Sequence, residues 1–230
     1  MRIFAIGDLH LPGNAQKPMD VFGDRWERHF ERVCDAWQAL VSPSDTVLIP
    51  GDISWALKLE DAAEDLNAIA RLNGQKVLLR GNHDYWWSSL SKVRGLLPRG
   101  MHALQNDALT LDGAAFAGSR GWTLPQSAAY SAAEDEKIYS RELMRLELSL
   151  KNAPKGMPLI GMLHFPPFSE RRAPGAFCGL FEAYGASEVV YGHLHGKACK
   201  NAFEGAHNGV NYTLCSADHL DFSPKLILEV

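Results

Sequence analysis

VLLRGNHDYWW, Val77 to Trp87, sets three unlike pieces end to end. Val77, Leu78 and Leu79 make a short apolar run, and Gly81 permits a tight turn. Asn82, His83 and Asp84 follow, and then three large aromatics. A turn draws on Gly and Asn but has no need of a His–Asp pair. An apolar run this short, closed by glycine, reads as a strand buried on both faces. Polar groups at its carboxyl end then stand where open α/β sheets bind ligands.

The same pattern recurs along the chain. It is found in IFAIGD (Ile3 to Asp8), TVLIPGD (Thr46 to Asp52), AAFAGS (Ala114 to Ser119), PLIGMLH (Pro158 to His164) and EVVYGHLH (Glu188 to His195). Between these runs lie apolar stripes at helical spacing: Trp26, Phe30, Val33, Trp37 and Leu40; then Leu59, Ala62, Leu66 and Ile69; then Tyr139, Leu143, Leu146 and Leu150. They read as core-facing helix surfaces. Strand alternating with helix predicts an α/β fold with partly parallel strands. VNYTLCSA (Val210 to Ala217) and PKLILEV (Pro224 to Val230) have no strong helix between them and are predicted to be antiparallel strands. Neither an internal repeat nor a linker composition is visible, so residues 1–230 are expected to form a single domain.

Bulk properties exclude several classes. The composition, 46% hydrophobic and 22% charged, is that of an ordinary globular protein. A formal net charge of -4 gives no global basic field, which weighs against a dedicated nucleic-acid or anionic-membrane binder. Cys34, Cys178, Cys199 and Cys215 are dispersed without a C-x-x-C pair, so reduced, buried thiols are expected rather than a zinc ribbon or a disulfide scaffold. The apolar start of MRIFAIGDLH stops at Asp8, too short for a signal peptide, and no stretch approaches the ~20 apolar residues of a membrane span. A cytoplasmic protein is the expectation. The sequence does not specify an oligomeric state.

The strand ends carry Asp8 and His10, then Asp52, then Asn82, His83 and Asp84, then His164, then His193 and His195. Singly, each has an ordinary reading as a turn, cap or surface residue. Jointly they place five of the nine histidines at strand-to-loop junctions; His29, His102, His207 and His219 lie elsewhere. A set of N and O donors without thiolate suits Mn, Fe, Zn or Co.

These blocks, DLH, GD, GNHD, His164 and GHLH in that order, resemble the calcineurin-like metallophosphoesterase superfamily. The resemblance implies an α/β sandwich of two mixed sheets flanked by helices (α/β/β/α), with the active site at the carboxyl ends of the strands. It also implies a two-metal site. Asp8, His10 and His195 would hold one metal, Asn82, His164 and His193 the other, and Asp52 would bridge them. A hydroxide shared by the metals would attack phosphorus in line, and His83, backed by Asp84, would protonate the leaving group. The metals implied are Mn or Fe foremost, with Zn or Co as further candidates, and no organic cofactor is expected. The charge count agrees with a phosphate anion as ligand: two divalent ions against two ligand carboxylates leave the site positive.

The substrate is less legible. GDISWAL and GNHD depart from the D-R-G and GNHE patterns of the protein Ser/Thr phosphatases. They resemble bacterial phosphohydrolases, cyclic-nucleotide phosphodiesterases and exonuclease subunits instead. A small phosphomonoester or phosphodiester is the expected substrate. A nuclease is the alternative within catalysis, and a scaffold without activity is the alternative outside it; the intact set of site residues argues against the latter. Arg120, Trp122 and Tyr85 are candidate substrate contacts, through guanidinium–phosphate bonding and ring stacking. Tyr85, Trp86 and Trp87 are open between pocket wall and core, and Arg171 and Arg172 between a phosphate contact and a solvated turn.

Overall fold

Apolar runs buried on both faces need a layer on each side, and that requirement organises the molecule. The computed structural model describes residues 1–13, 19 and 23–230. In chain order the elements are β1 (Arg2–Ala5), α1 (His29–Leu40), β2 (Thr46–Pro50), α2 (Ala63–Ala70), β3 (Gln75–Leu79), α3 (Leu90–Leu96), β4 (Met101–Leu104), β5 (Ala108–Leu111) and β6 (Ala114–Ser119). Then come α4 (Ala132–Lys151), β7 (Leu159–Leu163), α5 (Ala176–Tyr184), β8 (Glu188–Tyr191), β9 (Gly205–His207), β10 (Val210–Leu214) and β11 (Lys225–Glu229). One sheet has the order β11-β1-β2-β3-β4, and the other β5-β6-β7-β8-β10-β9. In both the inner pairings are parallel; β11, β5 and β9 are antiparallel additions.

Side-chain alternation sorts the residues into layers. Ile3, Ala5, Leu48, Val77 and Leu79 meet Phe116, Ile160, Met162 and Val190 of the second sheet, forming the core between the sheets. The alternate residues, Phe4, Val47, Ile49 and Leu78, pack under Val33 and Trp37 of α1, Leu66 and Ile69 of α2 and Val93 of α3. On the far side Ala115, Ala117, Leu163 and Val189 lie beneath Tyr139, Leu146 and Leu150 of α4 and Phe177 and Phe181 of α5. The result is the expected α/β/β/α sandwich with mixed sheets.

Three expectations need adjustment. The strand from Val210 is not antiparallel to its larger neighbour: β10 runs parallel to β8 and antiparallel only to the short β9. The reason is local. Asn208 and Gly209 both have positive φ, a two-residue turn that folds β9 back onto β10, and the longer return from β8 restores the parallel direction. Asp112 and Gly113 make the equivalent turn between β5 and β6. These Asn-Gly and Asp-Gly pairs are the sequence signals that the strand reading passed over. The strand from Pro224 is antiparallel, as expected, but against β1. Finally, Trp26 does not begin α1; it closes a 3-10 turn at Asp24–Trp26, and Arg28 in a left-handed conformation separates the two.

Candidate metal centre

The loops that follow the strands run side by side past the sheet ends. The N–H groups of Asp8 and His10 donate to the carbonyls of Gly51 and Asp52, at 2.9 and 3.0 Å. The N–H of His193 donates to both carboxylate oxygens of Asp8, at 3.1 and 3.0 Å. Such close passage excludes side chains at two points. A Cβ on Gly81 would collide with the Asp52 carboxylate, and one on Gly192 with that of Asp8. Asp8, His10, Asp52 and His193 all have left-handed backbones, with φ of 55, 47, 52 and 74°. A non-glycine residue in that region costs about 1–2 kcal/mol, and such costs concentrate where a site over-determines its geometry.

Two donor groups converge there, Asp8, His10 and His195, and Asp52, His164 and His193. Metal–donor bonds of about 2.0–2.2 Å place donors of one ion roughly 3–3.5 Å apart. In the first group His10 Nε2 lies 3.3 Å from His195 Nε2, which is 3.6 Å from Asp8 Oδ1. In the second, His164 Nε2 lies 3.3 Å from His193 Nδ1 and 3.4 Å from Asp52 Oδ2. Asn82 Oδ1 joins this group, at 2.9 Å from His193 Nδ1 and 2.6 Å from His164 Nε2. Asp52 Oδ2 also faces the first group, 3.8 Å from His10 Nε2, while its Oδ1 accepts the N–H of His83 at 2.8 Å.

The tautomers favour a cation. His164 Nδ1 lies 3.0 Å from the Pro50 carbonyl and His195 Nδ1 2.8 Å from Asp218 Oδ1, so each donates outward from Nδ1. The Nε2 lone pairs then face other acceptors at distances that a shared cation explains. Electrostatics agree. Burial holds His10 and His193 at about 3, well below the ordinary histidine value, so both are neutral donors. Burial lifts Asp8 to about 6 against the pull of His164 and His195. Burial also works against the charged form of His164, but Asp52, by charge and hydrogen bond, and Asp8 raise it to about 9. Burial pushes Asp52 up, yet His164, His10 and the N–H of His83 hold it below the usual carboxylate range. Without a metal, the buried carboxylates draw a proton onto His164; the residues fit a centre built for cations.

A cavity of about 410 Å³ opens on these donors, lined by His10, Asp52, His83, His193 and His195 with Trp26 and Trp55. Trp55 stacks on His10, ring centres 4.9 Å apart, and lies 4.5 Å from His83. Tyr85 is 54% exposed beside His83, at 6.1 Å, whereas Trp86 and Trp87 are buried in the core under α3, which resolves the open choice. The Asp84 carboxylate accepts N–H bonds from Ile53, Ser54, Gly81 and the Trp86 indole and so ties the two loops together. Trp122 and His193 share a neighbouring apolar cavity with Phe165. Arg120 turns away from both, over the Trp122 ring and towards Glu142. Arg171 and Arg172 are exposed on a turn.

Three further residues line the site: Trp26, whose spacing reads as helix core, and Trp55 and Asp218, which the strand-end pattern does not include. Trp55 sits in GDISWAL, where its motif position offered a signal; Asp218 follows β10 with no motif around it. Asp218 is buried, and its two oxygens take His195 Nδ1 and the Gly196 N–H, both at 2.8 Å. A carboxylate behind a ligating histidine fixes its tautomer and raises its basicity. Asp218→Asn is therefore expected to weaken metal binding at the Asp8, His10 and His195 group by about 10- to 100-fold, measured as metal content after dialysis against graded chelator. Wild-type metal retention would show that Asp218 serves only the loop.

Comparison with known proteins accords with this geometry. Among solved structures, a phosphopantetheinyl hydrolase from Mycobacterium tuberculosis superposes with a TM-score of 0.61 at 16% identity, covering 100% of this chain and 96% of its own. A protein of unknown function from Aquifex aeolicus superposes with a TM-score of 0.53 at 15% identity, covering 98% and 95%. At these identities the likeness is one of fold. No curated protein matches in sequence. The calcineurin-like phosphoesterase family model matches residues 1–197, and with those residues carrying the donor groups just described, the chain belongs to that family of hydrolases acting on phosphoester bonds.

Proposed function

We propose that this chain is a two-metal phosphoesterase acting on a small phosphomonoester or phosphodiester. The observation that carries the reading is Asp52 Oδ2, a carboxylate oxygen facing both donor groups at the floor of an open cavity. Asp8, His10 and His195 would hold one metal and Asn82, His164 and His193 the other, with Asp52 shared; the donor set suits Mn, Fe, Zn or Co, and the family resemblance puts Mn or Fe foremost. Metals bound there supply Lewis acidity and bring the pKa of water towards neutrality.

The chain's own groups do the rest. Neutral His10 and His193 present lone pairs without adding charge, so the loaded site attracts a phosphate anion despite the acidic total. His83 is carried on a backbone tied to Asp52 Oδ1, and its ring borders the cavity beside Trp55. An imidazole so placed protonates a departing alkoxide. Trp55 and Trp26 offer apolar ring surface to the leaving group.

Chelation with verified metal removal is expected to abolish hydrolysis of an aryl phosphate, and Mn²⁺ to restore it. Full activity in metal-free protein would sink the reading. A panel of aryl monoester, aryl diester, cyclic nucleotide and oligonucleotide in the presence of Mn²⁺ then separates esterase from nuclease.

A further inference from the structure

A second cationic cavity lies along the same rim of strand ends. It has a volume of about 210 Å³ and is lined by Arg80, Arg120, Arg141, Arg145, Glu142 and Ser119, among others. Four guanidiniums face one carboxylate. Glu142 is 1% exposed and bonds Arg145 at 2.6 Å, with Arg120 at 3.8 Å. Among the described residues that is the limit of internal compensation: the Nε atoms of Arg80 and Arg120 are buried and have no hydrogen-bond partner there. Burial lowers Arg120 from its ordinary value, and Arg80, Arg145 and Arg141 lower it further against the pull of Glu142. Guanidiniums ordinarily avoid one another and keep their N–H groups in water or paired. A cluster with buried, unpaired donors and three uncompensated charges is built for an anion.

We propose that this cavity is a binding site for a phosphoryl group, separate from the metal centre. Several planar forks lining one small cavity suit the tetrahedral oxygens of a phosphate better than one flat carboxylate. Its walls are continuous with the catalytic loops. Arg80 immediately precedes Gly81 and Asn82, and the carbonyl of Arg120 accepts the N–H groups of His164 and Phe165, at 3.1 and 2.9 Å. The occupant is either a second phosphoryl group of the substrate or free phosphate. The site itself does not depend on the phosphoesterase reading; only the substrate source does.

The test titrates inorganic phosphate into chelator-treated full-length protein, so that the metal centre does not compete. Calorimetry and Trp122 fluorescence are the readouts, since the Arg120 guanidinium lies 4.5 Å from that ring. One saturable equivalent is expected, weakening as salt rises. Arg80→Gln with Arg120→Gln should weaken it by about tenfold or more. Should that double variant fail to fold, Arg141→Gln, at an exposed position on the rim, should weaken it by about threefold. No saturable binding, or wild-type affinity in the folded variants, overturns the proposal, whatever the enzyme's activity. The source follows from KM on Mn²⁺-loaded Arg141→Gln protein. A rise confined to an alkanediol bisphosphate identifies the substrate's second group, and no rise with weakened phosphate binding identifies free phosphate. An equal rise on the bisphosphate and an alkyl monophosphate would overturn the separate site.

Discussion

Asp52→Asn is expected to weaken metal binding at both donor groups, as the proposed two-metal site requires. The carboxylate reaches two donor groups with one oxygen, 3.4 Å from His164 Nε2 and 3.8 Å from His10 Nε2, and keeps the other for the His83 N–H. An amide can retain the bond from His83 through its oxygen, but it then turns NH₂ towards both groups and removes a negative charge. Loss of even a supporting contact to a metal ligand costs about 10- to 100-fold in affinity. Loss of a shared ligand should exceed that at both positions and lower kcat/KM by roughly a thousandfold or more. Metal analysis after gel filtration, with circular dichroism to establish folding, gives the outcome. Two tightly held metals per chain would show that Asp52 does not bridge.

His83→Ala separates metal binding from proton transfer. Its backbone N–H, which holds Asp52, survives the substitution, and its ring lies against Trp55 and Tyr85 at the cavity wall. Metal content should therefore stay at the wild-type level. Turnover should fall by about 10²–10⁴ on alkyl phosphates, the usual worth of a positioned acid. A nitrophenyl phosphate, whose leaving group needs no proton, should lose much less. Equal losses on the two substrates would mean that His83 positions the phosphate rather than protonating the leaving group, and loss of metal would make it a ligand.

The layers of the fold were legible because each depends on a local pattern. β3 is readable from Val77 to Leu79 alone, since a run of that length with no polar residue needs cover on both faces. α4 is readable from Tyr139, Leu143, Leu146 and Leu150 because helical spacing puts them on one side. Trp26 was misplaced for the same reason: its spacing suits the α1 stripe, but the left-handed Arg28 breaks the helix before it. The direction of β10 was not legible, because parallel or antiparallel pairing is decided by the path the chain takes between strands.

At the site, residue types and their positions at strand ends belong to the sequence, and they alone nominate Asp8, His10, Asp52, Asn82, His164, His193 and His195 as a group. That Asp84 ties two loops together is visible only through neighbours distant in sequence, whose N–H groups arrive from the Ile53 loop. Asp218 became visible only through the chain's return from β10 to the back of His195. Arg80, Arg120, Arg141 and Arg145 are unremarkable along the chain and become a charged cavity only where β3, β6 and α4 meet. The sequence determines which groups stand at the ends of elements, because periodicity and turns are local. Which of those groups share space, and so which charges must be compensated by a ligand, is a property of distance, and only the tertiary structure decides it.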